Sequence, residues 1–134
     1  MTLLTLDGAA SGRVTLEGTT LTLSNGTFAG VIRDGATAGS LVKTSPGTLT
    51  LSGGTKKFGS GALVNNGTVA WSAGGVNVVG NGTITNNGTW NGNVVTSSGS
   101  IANVDGASWT GTFGTNSGTL DNAGTWNGAD GTAT

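Results

Sequence analysis

Apolar residues along this chain come in short bursts, two to five residues long and often alternating with threonine, and almost every burst is closed by glycine or asparagine. Thr20-Leu21-Thr22-Leu23 and Thr48-Leu49-Thr50-Leu51 have the two-residue period of a strand with one face buried. Helices do not fit, because glycine interrupts nearly every segment and each glycine inside a helix costs about 1 kcal/mol relative to alanine. The repeated Asn-Gly pairs are expected at tight corners, where glycine supplies positive φ.

The bursts recur. Asn81-Gly-Thr-Ile84-Thr-Asn-Asn-Gly-Thr-Trp90-Asn-Gly92 returns as Ser117-Gly-Thr-Leu120-Asp-Asn-Ala-Gly-Thr-Trp126-Asn-Gly128, with a looser copy from Gly99 to Gly111 and another from Gly61 to Val69. The leading apolar anchors are Leu21, Leu41, Leu63, Ile84, Ile101 and Leu120, separated by 20, 22, 21, 17 and 19 residues. Most periods hold three apolar centres, as in Leu41, Leu49 and Phe58, or Ile84, Trp90 and Val94. Asn-Gly between alternating runs is also the usual mark of a hairpin. A meander, however, repeats in pairs of strands, whereas three centres in roughly 20 residues match one turn of a three-sided coil. The expected fold is therefore all-β: a right-handed parallel β-helix, or β-solenoid, of about six three-sided coils with a period near 20 residues, forming a single domain over residues 1–134.

In such a stack like residues lie over like. Leu21, Leu41, Leu63, Ile84, Ile101 and Leu120 should form one core column, and Val69, Trp90, Trp109 and Trp126 another. Trp71, Trp90, Trp109 and Trp126 are spaced by 19, 19 and 17 residues. Exposed, they would make a platform for stacking sugars; their match to the slot of Val69 favours an inward column, with Trp71 two residues further along the same strand face. Asn65, Asn66, Asn86, Asn87 and Asn122 are candidates for a stacked amide ladder at one corner.

Composition adds exclusions. The chain has 27 glycines, one proline, and no cysteine, histidine or tyrosine, and only 8% of its residues are charged, against roughly 25% in ordinary domains. Disulfide and thiolate chemistry are absent. A net charge of −1, with no Lys or Arg after residue 57, gives no reason to expect a nucleic-acid partner. No apolar run approaches the roughly 18 residues of a membrane-spanning helix. The start of the chain lacks the basic and apolar regions of a signal peptide, so an exported protein would be represented here by a fragment or mature portion.

The acidic residues are Asp7, Glu17, Asp34, Asp105, Asp121 and Asp130. Glycoside hydrolysis needs two carboxylates about 5 to 10 Å apart, and Asp105 and Asp121 are placed for neighbouring coils. Nothing marks either as a proton donor, and solvated turn positions account for all six. Zinc would require Cys or His, and Gly53-Gly54 and Gly74-Gly75 are only fragments of a calcium-binding nonapeptide repeat. The expectation is therefore no catalytic, cofactor or metal site. The Asn-Gly-Thr triplets at Asn25, Asn66, Asn81 and Asn87 match the N-glycosylation signal, but a turn entering a strand requires the same residues. Thr-x-Thr pairs do not persist down the coils as an ice-binding face would need.

Residues 39–71 carry a longer signature. Gly39-Ser-Leu-Val-Lys43-Thr-Ser-Pro-Gly47-Thr-Leu-Thr-Leu-Ser-Gly53, then Phe58-Gly-Ser-Gly-Ala-Leu-Val-Asn-Asn-Gly67-Thr-Val69, resembles the passenger-associated repeat of bacterial autotransporters. The Asn-Gly-Thr-Trp copies over 81–128 are closer to the looser repeats of haemagglutinin-like adhesins. The resemblance implies a β-helical stalk that is secreted or displayed on the bacterial surface and meets a host or cell-surface receptor or glycan. The translocator barrel of that family is not in the sequence. Unpaired strands at the ends of a solenoid also lead to the expectation of end-to-end stacking into a homo-oligomer or fibre.

Overall fold

The computed structural model describes residues 2–44, 47–53, 56–78, 80–128 and 132–133. Gly54 and Asp130, considered above, lie outside these. The described residues form strands, turns and no helix, stacked as a parallel β-solenoid of about six turns with a period near 20 residues. The first coil holds β1 (Thr2–Gly8) and β2 (Arg13–Leu16), the second β3 (Thr20–Phe28) and β4 (Val31–Asp34). β5 (Ser40–Lys43), β6 (Thr48–Leu51) and β7 (Lys56–Phe58) make the third, and β8 (Ala62–Asn65) and β9 (Thr68–Val78) the fourth. β10 (Thr83–Asn86) and β11 (Thr89–Ser97) follow, then β12 (Ser100–Asn103), β13 (Ser108–Thr110) and β14 (Phe113–Asn116). A seventh level holds β15 (Thr119–Asn122), β16 (Thr125–Asn127) and β17 (Thr132–Ala133), and six of the seven contribute to the leading column from Leu21 to Leu120.

Each strand pairs in parallel with its counterpart one coil away, which removes the hairpin alternative: a hairpin would pair sequence neighbours antiparallel. β3, β9 and β11 bend around a corner and pair on two faces. On the first face the register places Leu21, Leu41, Leu63, Ile84, Ile101 and Leu120 in one column, as the period predicts. The first five are buried, whereas Leu120, on the outer edge of β15, remains 37% exposed. On the second face Leu49, Val69, Trp90, Trp109 and Trp126 share a column. Trp71 lies in the next column with Leu51 and Phe28, so Phe28 occupies the slot two residues beyond that of Val69, and Gly26 stands in the Val69 slot itself.

The third face departs from the simple reading. Ile32, Val76, Val94 and Phe113 align as expected, but the third coil contributes Lys56 to this column, with Phe58 two residues on, against Val78. A bulge in β11 sets Val94 to Ser97 against Val76 to Val78, and the extra residue turns Val95 outward, 46% exposed, while Ser97 points in.

The corners also differ from expectation. Of the Asn-Gly pairs, only Gly26 has positive φ, at 148°. Elsewhere the glycine serves the stacking: a Cβ on Gly88 would lie 2.2 Å from the carbonyl oxygen of Gly67, the atom that accepts the N–H of Thr89. A Cβ on Gly118 would likewise come within 2.0 Å of the Gly99 oxygen. Glycine is needed at these positions because successive backbones touch, and handedness of φ plays no part.

Candidate functional site

The concentrated polar chemistry of the molecule lies inside it. Two residues beyond the leading aliphatic column, the first face carries Leu23, Lys43, Asn65, Asn86, Asn103 and Asn122 in register. Lys43, Asn65, Asn86 and Asn103 are fully buried. The amides form a single chain: Asn65 Nδ2 donates to Asn86 Oδ1, Asn86 Nδ2 to Asn103 Oδ1 and Asn103 Nδ2 to Asn122 Oδ1, each at 2.8 Å. The same nitrogens donate to the backbone oxygens of Thr89, Ser108 and Thr125 at 2.8 to 3.0 Å. Asn65 Oδ1 and Asn86 Oδ1 also accept the N–H of Gly67 and Gly88 at 3.0 and 3.3 Å. The Asn-x-Gly-Thr spelling thus encodes an inward amide whose oxygen closes the turn two residues later and whose nitrogen reaches the next coil.

A buried amide left unsatisfied costs about 1–3 kcal/mol, whereas a satisfied hydrogen bond contributes about 0.5–1.5 kcal/mol. The ladder is therefore stabilising only as a complete unit. All its donors point toward the C-terminal coil, so its oxygen end faces the coil of Lys43. The Lys43 ammonium occupies the preceding position in the column and donates to the carbonyl of Thr44. Lys56 is held similarly, its Nζ donating to the carbonyls of Ser52 at 2.6 Å and Gly30 at 2.7 Å. Desolvation lowers the pKa of both lysines below the usual 10.5.

Of the asparagines proposed for a ladder, Asn65, Asn86 and Asn122 belong to this one. Asn66 and Asn87 do not. They are exposed and form a separate outer pair, Asn87 Nδ2 donating to Asn66 Oδ1 at 2.9 Å. Asn122 is itself exposed on the last coil, and Asn103 is a member that the sequence reading overlooked.

The indoles fill the second face. Trp90 and Trp109 are fully buried, and Trp71 and Trp126 are half-buried. Centroid separations are 4.9 Å for Trp71–Trp90, 4.4 Å for Trp90–Trp109 and 4.7 Å for Trp109–Trp126, the last two pairs nearly parallel. The N–H groups of Trp90 and Trp109 have no partner among the described residues, at about 1–3 kcal/mol each. Burying 150–250 Å² of ring at about 25 cal/mol/Å² contributes roughly 4–6 kcal/mol and outweighs that penalty. These two rings are inaccessible to a sugar, and the platform alternative fails at its centre.

The carboxylates of the first coils clasp the backbone of the following coil. Asp7 Oδ1 accepts the N–H of Thr27 at 2.8 Å, and Glu17 accepts those of Ala36 and Thr37 at 2.9 Å each. Asp34 Oδ2 accepts three, from Gly59, Ser60 and Gly61, at 2.6, 2.8 and 3.0 Å. These are structural bonds, more specific than the solvated turn role expected of them. Asp105 and Asp121 are exposed on neighbouring coils. Among the described residues no group of three or more His, Cys, Asp or Glu is placed to hold a metal ion, and no helix is long and apolar enough to cross a membrane.

Compared with known protein families, curated proteins and solved structures, the chain matches none.

Proposed function

We propose that this chain is a segment of a rigid structural or adhesive stalk, belonging to a secreted or surface-displayed bacterial protein of the autotransporter-passenger type, and that it is not an enzyme. The observation that carries the reading is where the polar groups are used. The amide ladder, Lys56 and three of the carboxylates bind one coil to the next, and Lys43 holds the carbonyl of the turn that follows its own strand. A rod held from within in this way resists bending and twisting. The signature over 39–71, which resembles the passenger-associated repeat, coincides with β5 to the start of β9, the part of the rod where the lysines enter the core.

The test is surface labelling. Antibodies raised against the folded chain should label intact cells of the source organism, and brief protease treatment of those cells should remove the signal. Labelling that requires permeabilised cells would contradict the proposal.

A further inference from the structure

At two turns a buried ladder asparagine is followed by an exposed one and then by glycine: Asn65-Asn66-Gly67 and Asn86-Asn87-Gly88. Asparagine before glycine is the sequence most open to one spontaneous covalent change, because glycine has no side chain to hinder it. The glycine nitrogen gives up its proton and attacks the asparagine Cγ. The Cγ–Nδ2 bond then breaks, and the amide leaves with a proton as ammonia. Water opens the resulting cyclic succinimide to aspartate or isoaspartate.

In this fold the attacking nitrogen is already engaged. The N–H of Asn87 donates to the carbonyl of Asn65 and that of Thr89 to the carbonyl of Gly67, each at 2.8 Å. The N–H of Gly88, between them, goes to a side chain instead, Asn86 Oδ1 at 3.3 Å, and that of Gly67 goes to Asn65 Oδ1 at 3.0 Å. Both acceptors lie inside the core, whereas Asn66 and Asn87 are on the outside. Each glycine N–H is therefore aimed inward, away from the side chain that it would attack, and its proton is held. Among the described residues no other Asn-Gly pair has its glycine N–H accepted by a side chain.

We infer that Asn66 and Asn87 are latent deamidation sites and that Asn65 and Asn86 guard them. The nitrogens of the ladder bind coil to coil; its oxygens preserve the chemistry of the corner. Isoaspartate would insert an additional backbone carbon between the registers that β8 and β10 keep on one side of the corner and β9 and β11 on the other. A carboxylate at position 87 would also face the Asn66 Oδ1 to which Asn87 now donates.

Incubation of the folded chain at mildly alkaline pH, followed by peptide mapping in the mass spectrometer, tests this. Asn66 and Asn87 should convert more slowly than Asn127, which is exposed beside an exposed Gly128, and urea should abolish the difference. Asn86→Ala should speed conversion of Asn87 by about tenfold and leave Asn66 unchanged, and Asn65→Ala should do the reverse. Two further variants separate this effect from general loosening. Asn103→Ala breaks the ladder but leaves Asn86 Oδ1 on Gly88, and Asn86→Asp loses the amide donor but keeps an oxygen there; Asn87 should stay slow in both. Native conversion of Asn87 as fast as that of Asn127, a difference that persists in urea, or acceleration by Asn103→Ala equal to that by Asn86→Ala would each overturn the inference. If Asn86→Ala fails to fold, Asn65→Ala and the comparison of native chain with urea decide it.

Discussion

At the scale of single residues, the account rests on polar groups placed where a core normally has none. Asn86 is the middle of the amide chain, with partners on both sides. Asn86→Ala should cost about 3–5 kcal/mol, because it strands the amide of Asn65 and the oxygen of Asn103 as well as removing its own bonds. Asn87→Ala, on the exposed outer pair, should cost below about 1 kcal/mol; urea midpoints measured on the two variants give the contrast directly. The lysines have a pH signature. With their pKa values lowered on folding, the unfolded chain binds more protons between the folded values and 10.5, so stability is gained as pH rises through that window and lost as it falls. With no His, Cys or Tyr in the chain, the two buried lysines carry this dependence. Urea midpoints should rise from pH 7 toward pH 10, and Lys43→Met with Lys56→Met should flatten the rise; an unchanged slope in the double variant would contradict interior placement.

The sequence displayed part of this. Gly39-Ser-Leu-Val-Lys43 and Gly61-Ala-Leu-Val-Asn65 align residue for residue, so Lys43 stands in the slot of a ladder asparagine. The convention that charged side chains face water hid it. Asn103 was obscured differently: three residues separate Asn86 from Thr89, but five separate Asn103 from Ser108, its partner in the strand column. The inserted residues break the Asn-x-Gly-Thr spelling while β12 keeps its register.

At the scale of elements, the period of strands and coils together identified the aliphatic column and the tryptophan column, because parallel in-register stacking makes equivalent positions contacts. It did not reveal what the corner glycines do. Asn-Gly has the same appearance whether it supplies positive φ or close approach, and here most pairs serve the second purpose. Gly88→Ala would force a methyl group to 2.2 Å from the Gly67 oxygen, so it should separate the backbones of β8 and β10 from their following corner and destabilise by more than about 3 kcal/mol. Gly106→Ala meets open space at φ 81° and should cost only the left-handed penalty of about 1–2 kcal/mol; thermal melts of both variants test the distinction. The tryptophan column has an optical consequence. Stacked indoles at 4.4 to 4.9 Å should couple, producing a strong circular dichroism couplet in the indole band that Trp109→Phe greatly reduces. Acrylamide should quench Trp71 and Trp126 far more than Trp90 and Trp109, as single-tryptophan variants would report.

At the scale of the whole molecule, the rod is a one-dimensional stack in which each coil depends on its neighbours. Its interior changes along the axis, from aliphatic residues and lysine in the early coils to asparagine and tryptophan in the later ones. Its one concentration of exposed positive charge lies at the early coils, where Arg13, Arg33 and Lys57 share the third face. The coil count and direction of stacking were legible because the repeat is long. The pairing of Arg33 with Lys57 was not, since register brings them together from positions 24 residues apart.

The central claim is that the coils are locked from within by the amide ladder, and side-chain hydrogen exchange tests it most directly. Measured by NMR on the intact chain, the Nδ2 protons of Asn65, Asn86 and Asn103 should exchange as slowly as the backbone amides of β8, β10 and β12, opening only with global unfolding. The Nδ2 protons of Asn66 and Asn81 should exchange at rates near those of free asparagine. Fast exchange at Asn86, in a chain whose β10 backbone remains protected, would contradict the ladder and with it the account of how this rod is held together.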